Sequence, residues 1–107
     1  MRLALPALLA AAGSVRALHA QSLDAGALSG TVTDRGGHGL PEATITLTER
    51  ITGVARIKQT PRGGTFGFTL LLPSSYDVLV ERFGYRPRLV RNVPVRAGSS
   101  LHLDVSL

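Results

Sequence analysis

The stretch that most restricts the fold is Gly63 to Tyr85, GGTFGFTLLLPSSYDVLVERFGY. Phe66, Phe68 and Leu70 alternate with Gly67 and Thr69, and beyond a Pro-Ser-Ser corner Tyr76, Val78 and Val80 form a second apolar face of period two. Only a strand sends every second side chain to one side, so each segment has one apolar face. The two segments read as a β-hairpin, and its apolar side has to be covered by other strands of the chain.

Those strands are present on both sides of it. ALSGTVT places Leu28, Gly30 and Val32 on one face, with Gly30 leaving room for a neighbouring backbone or a bulky ring. The glycine-rich DRGGHG turn leads into LPEATITLTER, where Ala43, Ile45 and Leu47 face inward and Thr44, Thr46 and Thr48 outward. VARIKQT sets Val54, Arg56 and Lys58 against Ala55, Ile57 and Gln59, a half-apolar pattern suited to an edge strand whose cations discourage further pairing. RLVRNVPV is interrupted by Pro94, which also marks an edge or a bulge. LHLDVSL closes the chain with Leu101, Leu103, Val105 and Leu107 on one face. The expectation is therefore an all-β, seven-strand Greek-key β-sandwich, with turn signals roughly every 8 to 12 residues.

The first twenty residues stand apart from this domain. MRLALPALLAAAGSVRALHA has a positive start at Arg2, an uncharged apolar run and a small-residue end at Ala20, the layout of a cleaved secretory signal peptide. The apolar run is shorter than the ~20 residues a membrane-spanning helix needs. Expected boundaries are 1–20 for the signal peptide, 21–26 for a flexible lead-in and 27–107 for the sandwich. Cleavage would remove Arg2 and Arg16, so 12 basic residues become 10 against 7 acidic ones, a balance too mild for nucleic-acid binding. Cysteine is absent, so neither a disulfide nor a lipidated cysteine is available and packing alone must hold the domain.

The order of these pieces resembles the carboxypeptidase regulatory-like domain, a transthyretin-like sandwich also grouped with carbohydrate-binding-like folds. The carrying residues are Gly30, Val32, Asp34, Gly37, Leu40, Pro41, Ala43 and Ile45 in the first part. Gly64, Phe66, Phe68, Pro73 and Tyr76 follow in the middle, and Val95, Ala97, Gly98, Leu103, Val105 and Leu107 at the end. Four positions depart from the family pattern: Glu42 stands where a glycine is usual, Ser74-Ser75 replaces Pro-Gly before Tyr76, and Arg62 replaces an aspartate. A signal peptide followed by such a domain also resembles the front of many TonB-dependent outer-membrane receptors. The resemblance implies either a stand-alone periplasmic module or the detached front of such a receptor.

Candidate sites are few. His38 lies in a glycine turn and His102 on the outer face of the last strand, and neither has cysteines nearby with which to hold a metal. Ser74, Ser75, Ser99 and Ser100 fall in turns and none sits in a nucleophile elbow. Asp34 is placed to accept hydrogen bonds from the amides of Arg35 to Gly37. Arg82, Arg86, Arg88, Arg91 and Arg96 fall within fifteen residues that contain no acid, a candidate basic face for an acidic partner or lipid headgroups. Tyr76 is in phase with the core, whereas Phe83 or Tyr85 of the FGY corner is expected to pack across the sandwich end with its phenol bonded to backbone. Tyr85 is the alternative candidate for a glycan contact.

No catalytic residue, metal or cofactor is expected. The leading functional expectation is a non-catalytic exported β-sandwich that binds a protein partner, an outer-membrane receptor or another envelope protein, through strand edges and the arginine-rich face. Its place would be the periplasm, the outer membrane or the cell exterior. A carbohydrate-binding module and an accessory domain for a peptidase on another chain are the alternatives.

Overall fold

The computed structural model describes residues 24–107. The expected signal peptide and the first residues of the lead-in lie outside the described residues. Eight strands follow one another: β1 (Gly26–Thr33), β2 (Thr44–Glu49), β3 (Ala55–Gln59), β4 (Thr65–Leu71), β5 (Ser74–Glu81), β6 (Arg88–Val95), β7 (Ser100–His102) and β8 (Val105–Ser106). One sheet has the order β4-β1-β7, with β8 also pairing β1, and the other has the order β3-β2-β5-β6. Gly26 already belongs to β1, so the lead-in is shorter than its expected 21–26.

The strand count differs from the expected seven because the closing segment is broken at Leu103 and Asp104. There the Leu103 amide donates to the Ser29 carbonyl (2.7 Å) and the Asp104 carboxylate takes the Thr31 amide (3.1 Å). Both halves run parallel to β1. Gly30 is the hinge of this contact. A Cβ there would overlap the Leu103 carbonyl and come within 2.8 Å of the Phe66 ring, so the bare backbone expected at this position is used by both.

The central pair of strands is not a hairpin. β4 hydrogen-bonds to β1 and β5 to β2, so the chain crosses from one sheet to the other between Leu71 and Ser74. Alternation alone does not separate the two cases, because both give each strand one buried face. Phe66 and Phe68 come from one wall of the core, and Tyr76, Val78 and Val80 from the opposite wall. The corner is unsuited to a two-residue hairpin loop: Pro73 excludes the type I′ form, and the type II′ form would put Leu72 at positive φ. The Tyr76 hydroxyl then fastens the corner by donating to the Leu72 carbonyl (2.7 Å).

Leu70 also departs from expectation. It has a φ of 55° and lies 73% exposed, while Leu71 takes the buried place. The pairing of β4 with β1 shifts register over this step, and the bulge turns Leu70 outward. Ser74 and Ser75 likewise open β5, and Ser100 opens β7, instead of sitting in turns. The remaining inward set is as the alternation requires: Leu28, Val32, Ala43, Ile45 and Leu47 are buried with the residues above.

The cations of β3 face inward. Arg56 and Lys58 pair with the buried Leu47 and Ile45 and lie over the Phe68 ring, 5.7 and 5.5 Å from its centre. Arg56 donates to the Thr69 carbonyl (2.8 Å) and Lys58 to the Gly67 carbonyl (2.6 Å), which caps the outer edge of β4 from the opposite sheet.

Candidate functional site

The two ends of the sandwich carry different surfaces. At one end, the turn after β1 and the loop between β5 and β6 flank an open groove of about 740 Å³. Asp34 shapes the first wall. Its carboxylate accepts the amides of Gly36, within the expected Arg35 to Gly37 turn, and of His38, one residue beyond it, each at 2.9 Å. The His38 amide is the main cause of a lowered Asp34 pKa. Thr60 ties down the neighbouring 40–43 segment: its buried hydroxyl donates to the Leu40 carbonyl (2.6 Å) and accepts the Ala43 amide (2.9 Å). Glu42, the departure noted in the sequence, sits there at a φ of 59°, where a glycine would be relaxed.

Arg82 holds the second wall, with its Nε donating to the Pro41 carbonyl at 2.6 Å. That leaves Arg35, Arg86 and Arg88 lining the groove, and among the described residues none of the three has an ion-pair partner. The five arginines read as one face are therefore divided. Arg82 serves the fold, Arg86 and Arg88 face the groove, and Arg91 lies beside Asp77. Arg96 follows β6 at the other end, roughly 25 Å along an eight-residue strand. Arg35, which the sequence places only in a glycine turn, joins Arg86 and Arg88 because the sandwich brings the two loops together.

The FGY corner does not pack across this end. Phe83 is 94% exposed and Tyr85 is 39% exposed, and the phenol bonded to backbone is that of Tyr76. The corner turns too tightly for its rings to reach back: the Tyr85 amide donates to the Arg82 carbonyl (2.9 Å), and Gly84 supplies a φ of 86°. Tyr85 and Pro87 form a ridge, with a second groove of about 560 Å³ beyond it that carries Glu42, Thr44, Gln59 and Glu81.

The opposite end is apolar. Leu70, Leu72 (70% exposed) and Val54 stand out around a hollow of about 230 Å³ floored by Leu47, Leu71 and Tyr76. Glu49 orders its loop, accepting the Ile51 amide, the Thr52 hydroxyl (3.0 Å) and the Ser74 hydroxyl (3.2 Å). The Ile51 contact is foremost in lowering the Glu49 pKa. Sequence reasoning missed this end because the alternation of Phe66 and Phe68, carried on, puts Leu70 inside, whereas the bulge puts Leu71 there.

Among the described residues, no three His, Asp or Glu side chains gather as a metal site. His38 and His102 are exposed, beside Asp34 (3.3 Å) and Asp104 (2.9 Å) respectively.

Residues 27–107 match the family described as the carboxypeptidase regulatory-like domain. Human carboxypeptidase D is 38% identical over 71 residues, which are 66% of this chain but only 5% of that protein's length. Among solved structures, a candidate carbohydrate-binding protein from Bacteroides uniformis superposes with a TM-score of 0.61 at 17% identity, covering 75% of this chain and 40% of its own. The dioxygenase domain of a dioxygenase carbohydrate-binding protein fusion from Streptomyces sp. SirexAA-E gives 0.60 at 12% identity, covering 78% of this chain and 79% of its own. At these identities the two structures share the fold with this chain.

Proposed function

The chain belongs to the carboxypeptidase regulatory-like domain family, and from that premise we propose that it is a non-catalytic, exported module that binds a protein of the bacterial outer membrane. The partner is a receptor of the TonB-dependent kind, and the contact is made by side chains at the apolar end. The observation that carries this reading is the group of Leu70, Leu72 and Val54, exposed together beside a hollow in a domain whose other large apolar residues are mostly buried. The capped edge of β4 favours such a side-chain contact over strand addition there. Export is supported by the leader-like residues 1–20.

The test is a photo-crosslinking residue at Leu72 of the full chain, expressed in a bacterium with an outer membrane. The expected result is a cleaved leader and one discrete crosslink to an outer-membrane protein, lost when Leu70 and Val54 become serine. A chain that keeps its leader in the cytoplasm, or that crosslinks to nothing, overturns the proposal.

A second reading, glycan binding, is favoured by the ridge of Tyr85 and Pro87 between two polar grooves. The fold shared with the candidate carbohydrate-binding protein supports it.

A further inference from the structure

We propose that the groove between the 34–36 turn and the 84–88 loop binds the carboxylate groups of an acidic polysaccharide, a chain of uronic acid units. This rests on the glycan reading of that end and names its ligand class. Arg35, Arg86 and Arg88 line one groove, and among the described residues no carboxylate pairs with any of them. The one acid in the groove, Asp34, has an oxygen committed to the amides of its own turn. Three guanidinium groups left without a partner at one concave site form a receptor for carboxylates, which arginine engages through paired hydrogen bonds.

The surroundings select a sugar among the carriers of carboxylate. Tyr85 offers half-exposed ring surface on the ridge, next to Pro87, where the face of a sugar ring can rest. Beyond the ridge, Thr44, Gln59, Glu42 and Glu81 present the amide, hydroxyl and carboxylate groups that suit neutral sugar hydroxyls. An oligouronate lying in the arginine groove keeps its carboxylates away from Glu42 and Glu81, which stand with Thr44 and Gln59 beyond Tyr85. An anionic membrane fits less well, because a flat surface pressed on this end would meet Glu42 and Glu81 as well as the arginines. An acidic peptide offers carboxylates but no ring face to rest on Tyr85, and poly-glutamate is run beside the uronate to separate the two.

The experiment is titration of the exported protein with oligogalacturonate at low and moderate salt. A neutral glucan, poly-glutamate and anionic phospholipid vesicles are run beside it. Oligogalacturonate is expected to bind, more weakly as salt rises, and the neutral glucan not to bind. The double variant Arg86→Gln, Arg88→Gln should weaken binding at least about tenfold. Tyr85→Ala should weaken it less, and Arg96→Gln, the same charge change at the other end, should leave it unchanged. None of the three substituted arginine side chains makes a hydrogen bond within the described fold, and the backbone bonds of Arg88 and Arg96 are kept by glutamine, so the variants retain it. Neutral glucan binding as tightly as the uronate overturns the acidic ligand while leaving the glycan reading in place. Poly-glutamate or vesicles binding as tightly as the uronate, or an equal loss in Arg96→Gln, reduces the site to general charge and overturns the proposal. Binding of none of the probes overturns this proposal and the glycan reading together.

Discussion

The groove end and the apolar end are built by the same rule and finish with opposite surfaces. At each, a few polar side chains are turned inward to tie loops: Asp34, Thr60 and Arg82 at one, Glu49 and Tyr76 at the other. What a surface can meet is then decided by the residues left over, cations at the groove and aliphatic side chains around Leu72. An arginine count along the chain does not distinguish these roles. Arg82 and Arg86 are four positions apart, yet one serves a carbonyl and the other faces solvent.

The two sets of ties should differ in strength. Thr60→Val leaves the Leu40 carbonyl and the Ala43 amide without their partner in a buried place, and should lower stability by about 1–3 kcal/mol in urea denaturation. Tyr76→Phe removes one hydrogen bond to the carbonyl of the exposed Leu72, and about 0.5–1.5 kcal/mol is expected. If the tyrosine variant is the weaker of the two, the apolar end is the more tightly fastened and the contrast is reversed.

Each end also holds a side chain in the left-handed region, Glu42 at the groove and Leu70 at the other. Glycine there relieves the crowding of Cβ, although it frees the unfolded chain as well, so Glu42→Gly and Leu70→Gly should each raise stability by up to about 1 kcal/mol. Leu70→Gly should in addition reduce binding of a fluorescent apolar dye, and Glu42→Gly should not. A shared loss of dye binding would mean that the ends are not independent.

The smallest effect concerns acid. Asp34, Glu49 and Asp77 all have lowered pKa values, chiefly through the amides of His38, Ile51 and Asn92. A carboxylate with a depressed folded pKa contributes stability above its unfolded value, about 4, and loses it as pH falls through the folded value. Urea midpoints should therefore be level down to about pH 4 and decline below it. Hydrogen exchange should show the 34–38 and 50–54 loops opening in the same range, and a midpoint that rises on acidification would contradict all three assignments.

Much of the sandwich was legible in the sequence because its cause is local. Ala43, Ile45 and Leu47 announce their face by alternation, and Gly30 announces a close approach by lacking a side chain. At Leu70 to Leu72 the mark misleads, since the phase of Phe66 and Phe68 puts Leu70 inside and only the bulge settles that Leu71 is there instead. The crossing between β4 and β5 was partly legible: Leu72-Pro73 lacks the glycine or asparagine that a tight hairpin loop needs. The groove was least so. Arg35 and Arg88 are separated by about half of the chain, and only the completed pair of sheets sets them on one rim.

The notch at Gly30 also orders events in time. Of the described strands β1 is made before the others, and its parallel partners, residues 100–102 and 105–106, after them. Contacts joining such distant parts of a chain form slowly, because a long loop must close before they return anything. A polypeptide emerging amino end first would hold β1 half-paired until residues 100–106 arrived. The sandwich is then sealed at its last step, by the Leu103 carbonyl settling where a side chain would have been.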